Sequence, residues 1–401
     1  MITAVLGGGQ LARMLALAGA PLGLRTRCLD PSADAVAGHV SELLVADFDD
    51  VAALGRLADG ADVCTFEFEN VPVAATEWLT AHATVHPHPR ALGIGQDRVQ
   101  EKQLFQRLGV GVAKFEAADT VEELRHAVAT VGVPCIVKTR RLGYDGRGQV
   151  RLQAGDGLSQ EIDAAHATLT KNYDGGLIVE GMVPFDRELS VLAVRSRDGE
   201  VACYPLVENE HVGGILRRSR APAPNLAPEV QEKAAQIATT LLHELDYVGV
   251  LAIELFDVDG TLLANEMAPR VHNSGHWTIE GSVCSQFENH LRAVHGLPLG
   301  STEMAQGGVA TMINLISEMP DREHLFSLPG VHVHDYGKSA RANRKLGHAT
   351  VVGQSRADVD AVVAWLGHLG GSGILAARAS WRLGHLGSAA KRRQATARLR
   401  S

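Results

Sequence analysis

The sequence predicts an α/β protein of two or three domains that begins with a doubly wound parallel sheet. Three observations support this prediction. Short apolar runs alternate with helically spaced apolar residues in the first part of the chain, as in parallel strands joined by helices. Hydrophobic residues make up 45% of the chain and charged residues 21%, as in globular proteins. The 401 residues exceed what one hydrophobic core normally holds.

The first strands and the first helix are defined by short apolar segments and by turn residues. Residues 2–6, 24–29 and 62–66 are predicted to be buried strands. Apolar residues spaced three and four apart predict a helix over 11–20, directly after the glycines of the motif GGGQ. The motif HPHPR at 86–90 predicts the end of this unit, because proline interrupts regular backbone pairing.

The rest of the chain is predicted to contain further helices and strands. Residues 97–130 are predicted to be helical with one break at Gly109–Gly111. Later strands are predicted at 134–138, 177–180, 188–195, 200–206, 249–256, 261–266, 308–316, 331–336 and 347–353, and later helices at 158–170, 228–245 and 356–369. The turn DVDG between the strands 249–256 and 261–266 predicts a β-hairpin.

Composition and charge exclude several classes of protein. The net charge of −8 argues against nucleic acid as the main partner. No apolar stretch reaches the roughly 18–20 residues of a membrane span, and the opening apolar run is too short for a signal peptide. The cysteines are scattered, odd in number and never in a C-x-x-C pair: Cys28, Cys64, Cys135, Cys203 and Cys284. We therefore expect reduced thiols in a cytoplasmic protein.

The glycines after the first strand match a nucleotide-binding pattern of low specificity. Gly7-x-Gly9-x-x-Ala12 lies between a predicted strand and a predicted helix, and Asp30 follows near the position of a ribose-binding acid. This pattern allows an NAD-dependent oxidoreductase. Backbone amides at such a helix start also bind other phosphates or carboxylates, and a tight structural turn uses the same glycines.

The segment VKTRRLGYDGRGQ at 137–149 concentrates positive charge around glycines. Lys138 ends a predicted strand, and Gly143, Gly146 and Gly148 leave the backbone free to close over a ligand. A solvated hairpin tip is the structural alternative. The excess of lysine and arginine favours a triphosphate, because several negative charges in a cleft need positive partners held in place.

Two carboxylates on predicted neighbouring strands form a candidate metal site. Glu254 lies in VLAIEL and Glu266 in LLANEMAPR, so a hairpin between them would bring both carboxylates to one place. Mg²⁺ prefers oxygen ligands and is commonly held by one or two acids together with phosphate oxygens. A cross-strand ion-pair arrangement is the structural alternative. His272 and His276 have the spacing of zinc ligands, although the Asn-Ser-Gly between them is a poor helix former.

Seven motifs, in order along the chain, give it a resemblance to one enzyme family. They are GGGQLARML, TFEFENVP, VKTRRLGYDGRGQ, VEGMVPFDRELSV, PLVENEH, NEMAPRVHNSGHWTIEG and YGKSARANRKLGH. The series resembles the 5-(carboxyamino)imidazole ribonucleotide synthases, which are ATP-grasp ligases of de novo purine biosynthesis. The match runs from residue 3 to 353, and an ordered series of this length is far more specific than any single motif.

The resemblance implies an ATP-grasp fold between a Rossmann-like (pre-ATP-grasp) N-terminal domain and a small β-rich C-terminal domain. The expected limits are 1–95 for the N-terminal domain, 96–296 for the ATP-grasp domain and 297–370 for the C-terminal domain. A basic tail at 371–401 is expected to be flexible. The implied reaction consumes ATP and bicarbonate and carboxylates the amino group of 5-aminoimidazole ribonucleotide, giving ADP and phosphate through carboxyphosphate. The family is usually dimeric, so a homodimer is expected.

The resemblance also implies a set of ATP- and metal-binding residues. The expected ATP-binding residues are Arg98 and Lys138 at the phosphates; Gly143, Tyr144, Asp145, Gly146, Arg147, Gly148 and Gln149 in the loop over them; Glu180, Gly181, Met182 and Val183 at the adenine; Glu188 at the ribose; and His211, Asn265 and Glu266 beside the phosphates. Glu254 and Glu266 are the expected ligands of Mg²⁺.

For the second half of the site, the resemblance implies residues for bicarbonate and for the ribonucleotide. Arg270 and Asn273 are expected to hold bicarbonate, because arginine offers paired donors to a planar anion. His276 completes the expected catalytic set. The expected ribonucleotide-binding residues are Gln10, Glu69, Tyr144, Arg147, Lys338, Arg344 and Lys345. The nearest alternative is a formate-dependent glycinamide ribonucleotide transformylase, another ATP-grasp ligase.

Four residues, at three places in the chain, depart from the family's motifs. Val271 stands in place of a proline, Ala342-Asn343 in place of Pro-Gly, and Ala12 in place of a glycine. Asparagine adopts left-handed backbone geometry more readily than most residues, so we expect the turn at Asn343 to form. None of these changes removes an expected functional side chain.

Replacement of Arg147 with alanine is predicted to raise the KM for the ribonucleotide far more than the KM for ATP. The reason is that the loop is expected to face ATP on one side and the second substrate on the other. Steady-state kinetics with each substrate varied in turn measure both constants. An unchanged ribonucleotide KM would contradict this assignment of Arg147.

Overall fold

The computed structural model describes residues 1–143, 148–328 and 330–369. Its strands are β1 (Ile2–Leu6), β2 (Arg25–Asp30), β3 (Glu42–Val45), β4 (Val63–Phe66), β5 (Gly111–Val112), β6 (Phe115–Ala118), β7 (Cys135–Thr139), β8 (Gln149–Leu152), β9 (Leu177–Gly181), β10 (Arg187–Arg195), β11 (Val201–Cys203), β12 (Val207–Val212), β13 (Ile215–Ala221), β14 (Gly249–Val258), β15 (Thr261–Ala268), β16 (Val309–Ile316), β17 (Val331–Asp335) and β18 (Lys345–Gly353). Its α-helices are α1 (Gln10–Gly19), α2 (Val51–Ala58), α3 (Val73–Thr80), α4 (Pro89–Gly95), α5 (Arg98–Arg107), α6 (Val121–Val131), α7 (Leu158–Thr170), α8 (Pro228–Glu244), α9 (Thr278–Gly281), α10 (Gln286–His295), α11 (Arg322–Ser327) and α12 (Arg356–Leu369).

The N-terminal sheet is parallel, with the strand order β3-β2-β1-β4. The strands predicted at 2–6, 24–29 and 62–66 are confirmed to within one residue at either end. Helix α1 is also confirmed, and its apolar stripe is buried. Strand β3 was not predicted, although the apolar residues 43–46 lie in it or next to it; it is a four-residue edge strand without a fully buried residue.

The glycines before α1 accommodate a carboxylate of the chain itself. Glu67, which follows β4, is 6% exposed and accepts hydrogen bonds from the backbone N–H groups of Gly9 and, at 2.8 Å, of Ala12. It therefore occupies the amides at the start of α1 that a nucleotide phosphate would use. Gly7 has a φ of 101°, and a side chain there would collide with Glu67. These contacts favour the tight structural turn over a dinucleotide site.

A second, antiparallel sheet has the strand order β6-β9-β7-β8, and α6 and α7 pack against it. The helix predicted at 158–170 and the strands predicted at 134–138 and 177–180 are confirmed. The prediction that 97–130 is helical apart from one break is wrong, because β5 and β6 separate α5 from α6. The four residues of β6 show no apolar alternation, and pairing with β9 is what makes them a strand.

The largest sheet has the order β17-β18-β16-β13-β12-β10-β14-β15-β5, and β11 pairs with β10. The hairpin β14–β15 confirms the prediction around DVDG. The strand predicted at 200–206 is shorter, as β11, and the hairpin β12–β13 was missed. Asn209 and His211 of β12 line a cavity, whereas Glu208 and Glu210 form ion pairs with arginines of β13. Both faces of β12 are therefore polar, and no apolar alternation marks it as a strand.

The C-terminal strands belong to the same sheet, because β16 pairs with β13 on one side and β18 on the other. The predicted strands at 308–316, 331–336 and 347–353 are confirmed, and α12 packs against β16 and β18. Helix α10 joins the N-terminal sheet to the rest of the fold. Its His295 and His290 hydrogen-bond to Thr3 at 2.8 Å and to Thr65 at 3.0 Å.

The structure also bears on two expectations from composition, which concern membrane spans and the cysteines. In the described ranges we find no helix with both the length and the apolar character to cross a membrane. All five cysteines are free thiols, and four of them are buried. Burial raises the pKa of Cys28 and of Cys64 to about 12, so both thiols remain protonated at neutral pH.

Replacement of Gly7 with alanine is predicted to lower the free energy of unfolding by about 2–4 kcal/mol, through positive-φ strain and collision with Glu67. Urea unfolding followed by circular dichroism measures the loss. Gly60→Ala is the matched control, because Gly60 has a φ of 64° and no atom lies within 4 Å of an added Cβ. The control should lose only about 1–2 kcal/mol, from the positive φ alone. Equal losses in the two variants would show that the contact with Glu67 is unimportant.

Candidate active site

A cavity of about 1150 Å³ lies between the large sheet, the small sheet and the segment that follows β4. Most of the predicted site residues line this cavity. They are Gln10, Glu69, Arg98, Lys138, Gly143, Gly148, Gln149, Glu180, Gly181, Met182, Val183, Glu188, His211, Glu254, Asn265, Glu266, Arg270, Asn273, Lys338, Arg344 and Lys345. Tyr144, Asp145, Gly146 and Arg147 lie outside the described residues, as does the tail at 371–401. The cavity therefore brings the predicted ATP and ribonucleotide residues into one space.

The two predicted metal ligands lie opposite each other on the hairpin β14–β15, where Glu254 pairs with Glu266. The register then shifts, and a bulge at Asn265 lets Asn265 and Glu266 both line the cavity. Burial and the charge of Glu266 raise the pKa of Glu254 to about 7. Two carboxylates and an amide oxygen are the hard donors that Mg²⁺ prefers, so this donor set fits the ion. The part of the chain that the structure describes holds no metal-binding group of three or more His, Cys, Asp or Glu side chains.

Two histidines near the carboxylate pair have pKa values shifted in opposite directions. His211 on β12 hydrogen-bonds to Glu188 on β10. Burial opposes the charge of His211, but that bond and the charge of Glu254 raise its pKa above the usual value. His272 Nε2 lies 3.6 Å from Glu254 Oε1, yet burial and the adjacent Arg270 lower its pKa to about 3. His272 is therefore neutral at neutral pH, whereas His211 is the histidine suited to face anionic phosphates.

Three charged groups, two of which line the cavity, meet on the side of the small sheet. Lys138 Nζ lies 3.1 Å and Lys102 Nζ lies 3.3 Å from Glu180 Oε2. Burial opposes the ionisation of Glu180, but the two ammonium groups lower its pKa to about 2. The carboxylate of Glu180 is thus ionised, and it holds the predicted phosphate-binding Lys138 at the edge of the cavity.

Arg98, in the first turn of α5, holds the entrance of the loop that follows β7. Its guanidinium donates to the carbonyl oxygens of Thr139 at 3.1 Å and Gly143 at 2.6 Å. Asp97 caps the same helix and binds Arg140 at 2.7 Å. The start of α5 therefore positions residues 139–143 of the basic segment, and Arg98 also lines the cavity.

Glu101 and Lys102 of α5 were missed by the sequence analysis. Glu101 lines the cavity and is 2% exposed, and burial together with the charge of Glu266 raises its pKa well above the usual value. Lys102 is 1% exposed and lies directly behind it. Charged residues on a helix are usually solvated, so nothing in the local pattern marked these two as buried. The one indication in the sequence was that they follow Arg98, a predicted ATP-binding residue, by one helical turn.

In the middle of the cavity, the predicted bicarbonate-binding side chains are held by other residues of the protein. Arg270 forms an ion pair with Glu69, and it also donates to the carbonyl oxygen of Val271 at 3.0 Å. Burial opposes the ionisation of Glu69, but the Arg270 guanidinium lowers its pKa to about 2. Asn273 and Asn314 exchange two amide hydrogen bonds of 3.0 and 2.7 Å. These bonds orient the predicted bicarbonate residues, and the pairing with Asn314 was not foreseen.

The far end of the cavity is cationic. It is lined by Lys338, Arg341, Arg344 and Lys345. Lys338 donates to the side chain of Gln10 on α1, and burial together with the charge of Arg344 lowers its pKa to about 8. Arg341 was not predicted, although it lies in the same basic motif. Asn343 has a φ of 61°, so the expected left-handed turn forms where the family's motif has glycine.

The structure contradicts the assignment of His276 to the catalytic set. Its side chain is 1% exposed and lies in the interior, with ring centroids 5.6 Å from Phe287 and 4.8 Å from His348. Burial lowers its pKa well below the usual value, so the ring is neutral. His272 lines the cavity but His276 does not, and the two therefore do not act as a zinc pair. His276 supports, from the inside, the segment that carries Asn273.

The fold and the site define an ATP-grasp ligase. The ATP-grasp domain model matches residues 103–287. The ribonucleotide synthetase preATP-grasp domain matches 1–96, and the phosphoribosylaminoimidazole carboxylase C-terminal domain matches 310–362. Together the three matches cover the order of units expected from the sequence motifs.

Similar proteins narrow the class to one family. The N5-carboxyaminoimidazole ribonucleotide synthase of Pseudomonas aeruginosa is 47% identical over 362 residues, which cover 90% of this chain and 97% of that protein. The solved N5-carboxyaminoimidazole ribonucleotide synthetase of Thermus thermophilus is 49% identical with a TM-score of 0.86, covering 95% of this chain and 100% of that one. The Aspergillus clavatus synthase, solved with ADP and 5-aminoimidazole ribonucleotide, is 30% identical with a TM-score of 0.83, covering 91% and 97%. The chain belongs to the N5-carboxyaminoimidazole ribonucleotide synthase family.

This membership confirms the resemblance inferred from the motifs. The family carries out the ATP-dependent carboxylation of 5-aminoimidazole ribonucleotide in purine biosynthesis. Both alternatives raised from the sequence, the NAD-dependent oxidoreductase and the formate-dependent transformylase, are therefore wrong. The dinucleotide alternative also fails on geometry, because Glu67 fills the helix start that it required.

The kcat/KM for the ribonucleotide is predicted to fall above pH 8. Lys338, an expected partner of the substrate phosphate, has a pKa lowered to about 8 and loses its charge as the pH rises through that value. Since kcat/KM reports groups of the free enzyme, a profile from about pH 7 to about pH 9.5 measures this step. Lys338→Arg keeps its charge throughout and should remove the step. A flat wild-type profile would rule out this role of Lys338.

Proposed function

We propose that the cavity carries out the ATP-dependent carboxylation of 5-aminoimidazole ribonucleotide with bicarbonate as the carbon source. The observation that carries this proposal is the division of one cavity into two ends of different charge. Lys138 lies at one end with the carboxylates Glu254 and Glu266, and Lys338 and Arg344 lie at the other. The first end suits a triphosphate bound together with a divalent cation, and the second suits a sugar phosphate. The Aspergillus clavatus complex supports this, because that protein binds ADP and 5-aminoimidazole ribonucleotide together.

ATP is proposed to lie between the small and the large sheet. Lys138 and Arg98 would contact its phosphates and Glu188 its ribose, and the segment 180–183 would contact the adenine. The raised pKa of His211 supports a position beside the phosphates, where its charge would be favourable. Mg²⁺ held by Glu254, Glu266 and Asn265 would supply neutralising charge between the transferred phosphate and ADP.

Bicarbonate is proposed to bind at Arg270, between the two ends of the cavity. Its oxygen would take the γ-phosphate of ATP with release of ADP, which forms carboxyphosphate. The amine of the ribonucleotide then attacks this intermediate, or CO₂ released from it, and phosphate leaves. Arg270 Nε and Nη1 are held by Glu69 and Val271, and Nη2 has no hydrogen-bond partner within the described ranges. That nitrogen supports a role for Arg270 in holding the anion, with Asn273 beside it.

Glu69 is proposed to hold the amino group of the ribonucleotide. Its lowered pKa supports a role as hydrogen-bond acceptor, because an ionised carboxylate orients the amine and has no proton to donate. The ribonucleotide phosphate would lie with Lys338, Arg344 and Lys345, to which Arg341 is added here. Gln10 would support Lys338 from α1.

Further expectations from the sequence remain proposals. The matched ranges of the three family models support domain limits of 1–95, 96–296 and 297–370. A homodimer rests on the family resemblance. The free cysteines support a cytoplasmic location.

Replacement of Glu266 with alanine is predicted to reduce ribonucleotide-stimulated ADP release by roughly 100-fold or more, because a ligand of the charge-neutralising ion is lost. The assay follows ADP with Mg-ATP and bicarbonate, with and without 5-aminoimidazole ribonucleotide. The wild-type protein should be strongly stimulated by the ribonucleotide.

Glu208→Gln is the control, since Glu208 lies outside the cavity in an ion pair with Arg220. It should retain activity within about twofold, because the substitution keeps the shape of the side chain and does not reach the cavity. Stimulation by formate and glycinamide ribonucleotide instead, or no ADP release under either condition, would contradict the proposed reaction. Full activity of Glu266→Ala would contradict the metal assignment alone.

A further inference from the structure

The strand that carries two of the proposed metal-site residues contains a bulge. The ladder between β14 and β15 passes from Glu254–Glu266 to Leu255–Ala264, which leaves Asn265 without a partner on β14. Neighbouring residues of a regular strand point to opposite faces, yet the Asn265 side chain hydrogen-bonds Glu254, the residue that lies opposite Glu266. The bulge therefore determines where these two oxygen donors point.

Two side chains of α5 hold this bulge from the outer edge of β15. Strand β5 pairs with β15 at two residues, the second of them Ala264, so strand pairing on this edge ends where the bulge begins. Beyond that point, Glu101 Oε1 accepts a hydrogen bond of 2.5 Å from the N–H of Met267. Lys102 Nζ donates at 3.2 Å to the carbonyl oxygen of Asn265. Adjacent residues of one helix thus bind the backbone on both sides of Glu266.

The burial of these two side chains argues against simple space filling. Glu101 is 2% exposed and Lys102 is 1% exposed, and charged residues are seldom buried to this degree unless their partners require it. An apolar side chain would pack there without the cost of removing a charge from water. Lys102 also lies 3.3 Å from Glu180 on β9, so it links the metal-binding strand to the small sheet.

We propose that Glu101 and Lys102 are positioning residues, which hold the bulge so that Asn265 and Glu266 present their oxygens to the divalent cation. Neither side chain is a ligand in this proposal, because both act through the backbone of β15. The inference rests on the proposed assignment of Glu254 and Glu266 to that cation. In this proposal Glu101 and Lys102 lie behind the residues that bind the cation and set the direction in which those residues point.

Binding of Mn²⁺, a paramagnetic substitute for Mg²⁺, tests this proposal with the 401-residue chain. Electron paramagnetic resonance measures free Mn²⁺ during titration of the ADP-saturated protein, and ADP affinity without metal serves as the reference. Lys102→Met should raise the Kd for Mn²⁺ about tenfold, as is typical when a group that orients a metal ligand is removed. Simple electrostatics predicts the opposite sign, because loss of a nearby cation would tighten the binding of another cation.

Two substitutions of Glu101 separate its hydrogen bond from its charge. Glu101→Ala removes both, whereas Glu101→Gln removes the charge but keeps an oxygen that can accept the Met267 N–H. Positioning predicts about tenfold weaker Mn²⁺ binding for the alanine variant and recovery to within about threefold for glutamine. Equal weakening in both variants would mean that only the charge matters and would overturn the proposal for Glu101.

Asp257→Ala is the matched control for the Glu101 variants. Asp257 is a buried carboxylate on β14 that accepts a hydrogen bond of 2.9 Å from Gly260 N–H of the same hairpin, away from the cavity. It should lower the Tm and leave the Kd for Mn²⁺ unchanged. If Lys102→Met and Glu101→Ala bind Mn²⁺ like the wild type, the residues have a purely structural role and the proposal fails. No Mn²⁺ binding by the wild type would instead overturn the metal assignment on which it rests.

Discussion

Charge repulsion between Glu254 and Glu266 is the constraint to which the rest of the site responds. The hairpin places these carboxylates opposite each other inside the protein, where like charges repel more strongly than in water. The Asn265 amide, which hydrogen-bonds Glu254, and His211, whose charged form is favoured, offset part of this repulsion. Burial, and after it the charge of Glu266, still raise the pKa of Glu254 to about 7. The negative charge that remains on the pair favours binding of a divalent cation. Two opposed carboxylates are thus unfavourable for the protein alone and favourable for metal binding.

Charge pairing in the remainder of the cavity separates its two anion sites. In the middle, Glu69 and Arg270 neutralise each other, whereas the hydrogen-bond partners identified for Lys338 and Arg344 at the far end are neutral groups. An arriving phosphate is therefore attracted to the far end of the cavity more than to its centre. At the centre, Glu69 orients the guanidinium of Arg270. This position suits a small anion that is formed at one end of the cavity and consumed at the other.

The sequence was sufficient where an element or a residue is defined by its own neighbourhood. The hairpin at DVDG, the helix at 158–170 and the opposed pair of carboxylates follow from local patterns, and the motif series led to the family. Strand β12 was missed because its residues are polar on both faces. Glu101 and Lys102 were missed because their function arises from contact with a bulge more than 160 positions later in the chain. Patterns of spacing do not record such contacts, and they emerge only when the chain is folded.

The glycine motif at the start of α1 is a second case in which the sequence alone did not identify a contact made in the folded protein. Backbone amides at the start of a helix bind any suitably placed anion, and the sequence alone leaves open whether that anion is a nucleotide or a side chain. Here Glu67, which follows the fourth strand of the sheet, fills the position, and Gly7 and Gly9 leave room for its carboxylate. A pattern that elsewhere binds a cofactor thus joins β4 to α1, and α1 in turn carries Gln10 to Lys338 at the far end of the cavity. The motif contributes to the site by fixing the position of a helix, and the anion it binds belongs to the protein.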